Sequence, residues 1–453
     1  MKTSARFFGQ LLLAVPGILG AITVDINDAE SVKAAASLVA EDLLTSFYHG
    51  NEPGQTPGVF DDTHYYWWSG SALWATLLDF RARTGNTSYD DIVLQALQWQ
   101  VGQGYDYLPA NWSATEGNDD QSLWAQAALT ATQTNFTEPA DAEAQWLGLA
   151  QNVFDEQSDD ARRVDDGDST CNGALRWQIF TFNTGYNYVN TLANGLYFSV
   201  GAQLAWLNDN KTASDEAIKT YDALTSIGLV TDDFAAYDGV AVPECDSINK
   251  LQFSEAAGIL LQGAAYTYNY TSDDVWKTRI DGYLSHIMDT FFKDGVAFES
   301  ACESSGNCNT DMLLYKGILH RSLAWTMKLA PYTAATILPV LKSSAAAAVS
   351  TCTGGDNGRM CGFSWTNGTF DSSTAGAQTS VLSALVSVLD LIDVASSGSG
   401  SGSGSGSAGS SSSSGSSSGG SSNSSTTQGS MGTNFGVSVS ALLGGLAVAG
   451  LMA

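Results

Sequence analysis

Adjacent aspartates are the residues of this sequence best suited to chemistry, because hydrolysis of a glycosidic bond needs two carboxyl groups. One serves as general acid and the other as nucleophile or base. Pairs occur at Asp61–Asp62, Asp90–Asp91, Asp119–Asp120, Asp159–Asp160, Asp165–Asp166, Asp232–Asp233 and Asp273–Asp274. An aspartate pair by itself therefore does not identify a catalytic site. Most of these pairs are expected to cap helices or to lie in solvated loops.

The context of Asp119–Asp120 separates this pair from the others. It follows an aromatic-rich segment that contains Tyr105, Tyr107 and Trp112, and it begins a segment, residues 121–133, with helical spacing of apolar side chains. At a junction between loop and helix, two neighbouring side chains can lie side by side. A carboxyl separation of about 5–5.5 Å suits a retaining mechanism, and mutual repulsion predicts that one aspartate holds its proton more tightly. A further helix cap is the alternative.

Other kinds of catalytic chemistry find little support in the sequence. It has only 4 histidines, which are scattered, and residues 22–395 contain no GxSxG, GxGxxG, Walker or CxxC motif. The run DDGD at residues 165–168 resembles only a piece of a calcium loop, and a solvated acidic loop is the alternative. We therefore predict neither a metal site nor a cofactor.

The net charge of −28 argues against nucleic acid as a partner, because the phosphates would be repelled. A neutral polysaccharide would not be repelled. The charge thus permits sugar binding without demonstrating it.

Helical periodicity dominates residues 22–395. About a dozen segments have it, the chain has only 8 prolines, and no linker-like run interrupts this part. Alternating strand patterns of any length are nearly absent. The sequence therefore predicts one all-α domain of paired helices that close into a ring. An open helical solenoid is the alternative, but no repeating sequence period supports it.

The two ends of the chain predict a route to the cell surface. Lys2 and Arg6 precede an apolar stretch, which is typical of a signal peptide over residues 1–21. The Ser/Gly-rich residues 396–434 predict a flexible stalk. The apolar residues 435–453, with no basic residue after them, predict a removed glycosylphosphatidylinositol (GPI) signal with the lipid near Asn423. A single transmembrane helix is the alternative.

Secretion makes the 6 cysteines candidates for disulfides. Cys302 lies close to Cys308 in the sequence, and Cys352 lies close to Cys361. Pairing each locally leaves Cys171 with Cys245. The sequons are candidate glycan sites at Asn86, Asn111, Asn135, Asn210, Asn269 and Asn367.

Several motifs together resemble glycoside hydrolase family 76, the endo-α-1,6-mannanases. The run GNDDQSLW at residues 117–124 is similar to the aspartate-pair motif of that family. Further matches are YWWSG at 66–70, CNGALRWQ at 171–178, NTLANG at 190–195, and YKGI at 315–318 with Arg321. These motifs follow one another through nearly the whole predicted domain, which makes the resemblance more specific than a single motif.

The resemblance implies an (α/α)6 barrel in which Asp119 is the nucleophile and Asp120 is the acid/base. The matching segments also contain the candidate substrate-binding residues Trp67, Trp68, Arg176, Trp177, Gln178, Asn194, Lys316 and Arg321.

Several of these candidates have equally plain structural interpretations. Trp67 and Trp177 fit core aromatics as well as sugar platforms. Arg176 fits a structural ion pair. The positive charges of Lys316 and Arg321 suit either binding of a phosphate of the GPI glycan or neutralisation of acidic side chains inside the barrel.

The signal, stalk and anchor narrow the likeness to the fungal cell-wall branch of the family. It implies a retaining endo-α-1,6-mannosidase or transglycosylase, a monomer on the outer face of the plasma membrane and in the cell wall. The implied substrate is α-1,6-mannan or the mannose core of GPI anchors, with wall β-glucan as a candidate acceptor. A non-catalytic mannan-binding protein or a structural cell-wall protein is the alternative, and the close carboxyl pair disfavours both.

Overall fold

The computed structural model describes residues 20–62, 65–167 and 169–398, with side chains up to residue 389. The predicted signal peptide up to residue 19 lies outside the described residues. So do the predicted stalk and anchor signal from residue 399 onward.

Twelve α-helices form the described part of the chain, and they are arranged in two layers. The inner helices are α2 (Trp67–Thr84), α4 (Asn118–Gln133), α6 (Thr191–Asn208), α8 (Ser254–Thr271), α10 (Met312–Leu329) and α12 (Ala375–Gly398). The outer helices are α1 (Ala29–Phe47), α3 (Asp90–Trp99), α5 (Trp146–Gln157), α7 (Lys211–Ile227), α9 (Asp274–Phe291) and α11 (Ala334–Ser350).

The inner helices close a ring. Each packs against the next inner helix in chain order, and α12 returns to α2. Each outer helix packs on the outside of this ring, for example α7 on α6 and α9 on α8. This arrangement is the (α/α)6 barrel predicted from the sequence, and the open solenoid is excluded because the ring is closed.

The two layers differ in how their helices are buried. In α6 every side chain from residue 193 to residue 205 is buried, so the helix has no solvent face. In α7 the buried side chains Ala213, Ala217, Tyr221 and Leu224 recur every three or four residues and form one stripe. A helix that is apolar on one stripe lies on a surface, whereas one that is buried all round lies in a core.

Polar caps and glycines set the helix ends. The Asp273 side chain accepts a hydrogen bond from the main-chain N of Val275 at the start of α9, at 3.0 Å. Gly85 and Gly228 end α2 and α7 with φ of 75° and 86°, a left-handed conformation that favours glycine. The cap at Asp273 agrees with the expectation that most of the aspartate pairs cap helices or lie in loops.

A small antiparallel sheet lies among the loops before the inner helices. It consists of β1 (Tyr188–Asn190), β2 (Gly239–Ala241) and β3 (Ile248–Asn249), and Asn190 faces Gly239 across the β1–β2 pair. A Cβ on Gly239 would lie 2.4 Å from the Val189 carbonyl oxygen, so this pairing needs glycine. A second two-stranded sheet joins β4 (Phe292–Lys293) to β5 (Val296–Ala297).

All three predicted disulfides are formed, which confirms the pairing inferred from proximity. Local bridges join Cys302 to Cys308 and Cys352 to Cys361. The third bridge joins Cys171 to Cys245, which are 74 residues apart. It ties the loop before β1 to the loop after β2, and both loops belong to the same end of the barrel as the site described below.

Within the described residues, one helical segment, Pro331–Ser350, is long and apolar enough to cross a membrane. Its buried side chains Ile337, Leu341, Ala345 and Ala348 recur along one stripe, and the helix packs on α12. Burial along one stripe is the pattern of the outer helices of the barrel, and this helix is one of them.

Candidate active site

A cavity of about 850 Å³ opens at one end of the barrel. The first turns of α2, α4, α6, α8 and α10 all contribute to its lining, through Trp67, Asp119, Thr191, Glu255 and Tyr315 among others. The cavity is therefore surrounded by the N-terminal ends of inner helices, where helix dipoles favour negative charge.

Asp119 lies in the first turn of α4 and is only 6% exposed. Its Oδ2 accepts a hydrogen bond from Nδ2 of Asn190 at 2.9 Å, and its Oδ1 accepts one from the main-chain N of Asp120 at 3.1 Å. Asn190 in turn begins α6, where its Oδ1 accepts from the main-chain N of Ala193. The carboxylate is thus held by two neighbouring inner helices.

Asp120 lines the same cavity and is half-buried. Its Oδ2 accepts a hydrogen bond from the main-chain N of Gly117 at 2.6 Å, so it also caps α4. A Cβ on Gly117 would lie 2.4 Å from Oδ1 of Asp119, which explains the glycine. The two interpretations of this pair, helix cap and cavity carboxylate, therefore both hold for Asp120.

The electrostatic environment differs between the two carboxyls. Burial raises the pKa of Asp119 to about 6, although the hydrogen bond from Asn190 opposes the rise. Burial also raises the pKa of Asp120 well above its usual range, and the negative charges of Asp119 and Asp311 add to the rise. The charge of an ionised Asp119 therefore favours the protonated form of Asp120, so the pair holds a proton more tightly than two separate aspartates would.

The structure adds acidic side chains that the sequence analysis did not single out. Glu116, Glu255 and Asp311 line the cavity. Both carboxyl oxygens of Glu116 and Oε1 of Glu255 are buried without a hydrogen-bond partner among the described residues. Burial and the charge of Asp120 raise the pKa of Glu116 to about 10, and burial raises the pKa of Glu255 as well. The position of Glu116 beside Gly117 was the only sequence signal for any of the three.

Aromatic rings form much of the remaining wall. Trp67 stacks between Trp124 and Trp112, with ring centroids 5.2 and 6.4 Å away, and its Nε1 donates to Gln100 at 2.8 Å. Nε1 of Trp68 donates to Oδ1 of Asp311 at 3.1 Å. Both tryptophans are buried, yet both line the cavity, so each is a core aromatic with one face toward the site.

Of the predicted substrate-binding residues, Trp67, Trp68, Trp177 and Gln178 line the cavity. Gln178 pairs with Gly117 in a β-bridge, and the Trp177 carbonyl accepts from the main-chain N of Asn118 at 2.8 Å. The segment 177–178 is thus bonded to the start of the helix that carries the aspartate pair.

The other predicted substrate-binding residues lie outside the lining, because their polar groups have partners elsewhere. Arg176 lies over the ring of Tyr186, and Asn194 bonds both main-chain polar groups of Leu175. These two side chains hold the loop before β1 in place, and their role in substrate binding stays a prediction.

Lys316 and Arg321 are not among the residues that line the cavity, and both form buried ion pairs. Lys316 is fully buried, and its Nζ lies 2.7 Å from Oε1 of Glu303. Nε of Arg321 lies 2.6 Å from Oδ2 of Asp79. Burial opposes ionisation of Asp79, but Arg83 and Arg321 outweigh it and lower its pKa. These ion pairs favour the alternative of charge compensation inside the barrel, and the role of Lys316 and Arg321 in substrate binding stays a prediction.

No group of three or more His, Cys, Asp or Glu side chains in the described part of the chain is arranged to hold a metal ion. The described lining of the cavity contains acidic, aromatic and amide side chains, and it contains no lysine or arginine.

A closed double ring of helices, with two adjacent carboxyls in an aromatic-lined cavity, is the arrangement expected of a glycoside hydrolase. Residues 31–394 match the model of glycosyl hydrolase family 76. The chain belongs to glycoside hydrolase family 76.

Relatives in fungi support this assignment over most of the chain. A putative mannan endo-1,6-alpha-mannosidase of Schizosaccharomyces pombe is 42% identical over 81% of this chain and 82% of its own length. The mannan endo-1,6-alpha-mannosidase DCW1 of Saccharomyces cerevisiae is 41% identical over 81% of each chain. The crystal structure of Dfg5 from Chaetomium thermophilum in complex with glucosamine is 42% identical, with a TM-score of 0.78 over 82% of this chain and 92% of that chain.

Proposed function

We propose that this protein is a retaining endo-α-1,6-mannosidase of the cell surface, which also transfers the cleaved glycan to a sugar acceptor. The observation that carries this proposal is the Asp119–Asp120 pair in the cavity of a family 76 barrel. The relatives named mannan endo-1,6-alpha-mannosidase support the choice of bond.

The mechanism uses the difference in proton affinity between the two aspartates. Ionised Asp119 attacks the anomeric carbon while Asp120 gives its proton to the glycosidic oxygen, so that the bond to the leaving sugar breaks and a glycosyl-enzyme forms. Asp120 then takes a proton from water or from a sugar hydroxyl. That oxygen attacks the anomeric carbon and releases Asp119. Asn190 orients the nucleophile throughout, since its Nδ2 donates to Oδ2.

The charge of the cavity supports a glycan that contains an amino sugar. Glu116, Asp238, Glu255 and Asp311 line the cavity together with the catalytic pair, and none of the described lining residues is a lysine or arginine. Because burial raises the pKa values of Glu116 and Glu255, these carboxyls favour their protonated forms in the empty cavity. The ammonium group of a glucosamine would favour their ionised forms and pair with them, whereas neutral mannan would not. The Chaetomium relative was crystallised with glucosamine. We therefore propose that the natural donor is the mannose core of a GPI anchor, next to its glucosamine.

Three disulfides support a secreted protein, because such bonds persist in oxidising compartments. Together with the sequence of the two ends, they support a GPI-anchored protein on the outer face of the plasma membrane. Phosphatidylinositol-specific phospholipase should release the protein from membranes. Recovery of residues 435–453 in the mature protein would contradict the anchor.

A product analysis with two donors tests the activity. The secreted protein is incubated with labelled α-1,6-mannotetraose, or with a labelled mannosyl glucosamine glycan of the GPI core, each with and without a β-glucan oligosaccharide. We expect cleavage of both donors, initial release of the α-anomer by NMR, and label on the glucan only when the acceptor is present. Initial release of the β-anomer would contradict retention, and failure to cleave either donor would contradict the activity.

The pH dependence of kcat/KM should be bell-shaped, with its acid limb near pH 6. The nucleophile must be ionised, so activity falls about tenfold per pH unit below the raised pKa of Asp119, which is about 6. The alkaline limb reports loss of the proton from Asp120. An Asp120→Asn variant, assayed on an activated aryl mannoside, should keep the acid limb and lose the alkaline one. An acid limb near pH 4 would show instead that Asp119 has the pKa of an ordinary aspartate.

A further inference from the structure

An exposed aromatic ring, Phe182, lies at the rim of the cavity in the loop before β1, and the half-buried ring of Phe180 packs against it. Phe182 is 72% exposed, which is the largest exposure among the large apolar side chains described, and it lines the cavity. Its ring is parallel to that of Phe180, at 5.3 Å between centroids and 5° between planes. A large apolar ring exposed at the mouth of a sugar-binding cavity offers a flat face on which a hexose ring can stack.

The loop that carries Phe182 is bonded to the main chain that holds Asp120. Nδ2 of Asn183 donates to Oε1 of Gln178 at 3.0 Å, and Gln178 pairs with Gly117. The main-chain N of Gly117 donates in turn to Oδ2 of Asp120. The loop that carries Phe182 is therefore linked by hydrogen bonds to the acid/base. In a retaining enzyme the leaving and incoming sugars both bind on the acid/base side.

The chemistry of the rim differs from that of the inner wall. Asp119, Glu255 and Asp311 project from α4, α8 and the start of α10 and make the inner wall acidic. The two residues that follow Phe182 in the chain, Asn183 and Thr184, also line the cavity and are uncharged. A neutral sugar is thus better suited to the rim than a cationic one.

We propose that Phe182, backed by Phe180, is the platform on which a neutral hexose of the acceptor glycan stacks. The inference rests on the proposed function and deepens it. With the acceptor stacked there, one of its hydroxyl oxygens attacks the anomeric carbon of the glycosyl-enzyme, the hydroxyl proton passes to Asp120, and the bond to Asp119 breaks. An acceptor held in this way outcompetes water, which gains nothing from the platform.

The test compares Phe182→Ala with Phe182→Tyr, which keeps the ring, and with Trp99→Ala. Trp99 is a matched control, because it is 61% exposed at the end of α3 and does not line the cavity. With labelled α-1,6-mannotetraose as donor and a β-glucan hexasaccharide as acceptor, Phe182→Ala should raise the acceptor KM about tenfold and lower the ratio of transfer to hydrolysis by a similar factor. Phe182→Tyr and Trp99→Ala should match the parent protein in both quantities.

Binding of the same hexasaccharide to the Asp119→Asn protein, measured by calorimetry, separates this inference from the proposed function. If the parent protein transfers no sugar, the proposed transglycosylation fails, yet loss of about tenfold in affinity in Asp119→Asn/Phe182→Ala would still support the platform. Equal affinity of Asp119→Asn and Asp119→Asn/Phe182→Ala for the hexasaccharide would overturn the proposal that Phe182 is the platform. An unchanged ratio of transfer to hydrolysis in Phe182→Ala would also overturn it. An equal loss in Trp99→Ala would also overturn it, because the effect would then be unspecific.

Discussion

Asp119→Asn should lower kcat/KM on α-1,6-mannotetraose by at least about a thousandfold, because the variant lacks the negative charge that attacks the anomeric carbon. Asparagine has nearly the same shape, and its Oδ1 can still accept from the main-chain N of Asp120. Its Nδ2 cannot accept from Nδ2 of Asn190, so the variant should fold but lose one hydrogen bond. Mannan binding should persist. Asp246→Asn, which changes an exposed carboxylate outside the cavity, is a control of equal charge change and should retain full activity.

Asp120→Asn distinguishes the two roles of the pair. An activated aryl mannoside needs no proton on its leaving group, so the variant should still form the covalent intermediate on this substrate, whereas Asp119→Asn should not. Breakdown of the intermediate should be slow, because the base for the second step is missing, and azide should restore turnover. Near-normal turnover of an α-1,6-linked substrate by both variants would show that the catalytic site lies elsewhere.

Lys316→Met should destabilise the protein by about 3–5 kcal/mol, because it leaves the carboxylate of Glu303 buried without its partner. The side chains of Lys316 and Glu303 are 0% and 3% exposed, and Nζ also donates to the Phe363 carbonyl at 2.6 Å. Urea unfolding measures the loss. The double variant Lys316→Met/Glu303→Gln should recover part of it, because the uncompensated charge is gone.

The same variant separates the two interpretations of Lys316. If the side chain compensates charge inside the barrel, the KM for mannotetraose should remain that of the parent protein wherever the variant is folded. A large rise in KM with unchanged stability would restore the substrate-binding role predicted from the family motif. Arg81→Met is a control for loss of an ion pair outside the inner barrel, since Arg81 and Asp90 are both partly exposed. The substitution Arg81→Met should lower the free energy of unfolding by less than about 1 kcal/mol.

Local chemistry and periodicity in the amino-acid sequence predict much of this protein. The placement of Asp119–Asp120 follows from an aromatic loop, a glycine and a helical repeat that are contiguous in the chain. The disulfides between Cys302 and Cys308 and between Cys352 and Cys361 follow from proximity for the same reason. The closed barrel follows from the number of helices and the near absence of strand patterns. In each case the interacting residues are neighbours in sequence, or the pattern repeats along it.

The cavity wall depends on residues that are distant in sequence. Asn190 reaches Asp119 from the next inner helix, and Glu255 and Asp311 come from helices further around the ring. None of these residues carries a local pattern that distinguishes it from an ordinary cap or surface acid. Only closure of the ring brings the N-terminal turns together and removes these carboxyls from water, which raises their pKa values.

The same closure decided the positions of Lys316 and Arg321. In a helix with one apolar stripe, the sequence predicts which face is buried. Helix α10 is buried on nearly every side, so its sequence pattern does not distinguish residues that face the cavity from residues that face a neighbouring helix. The sequence by itself thus determined the helical content, the disulfide pairs and the carboxyl pair that makes this chain a candidate glycoside hydrolase. The tertiary structure alone decided which charges meet in the cavity and which are paired within the core, because that depends on the rotation of each inner helix within the closed ring.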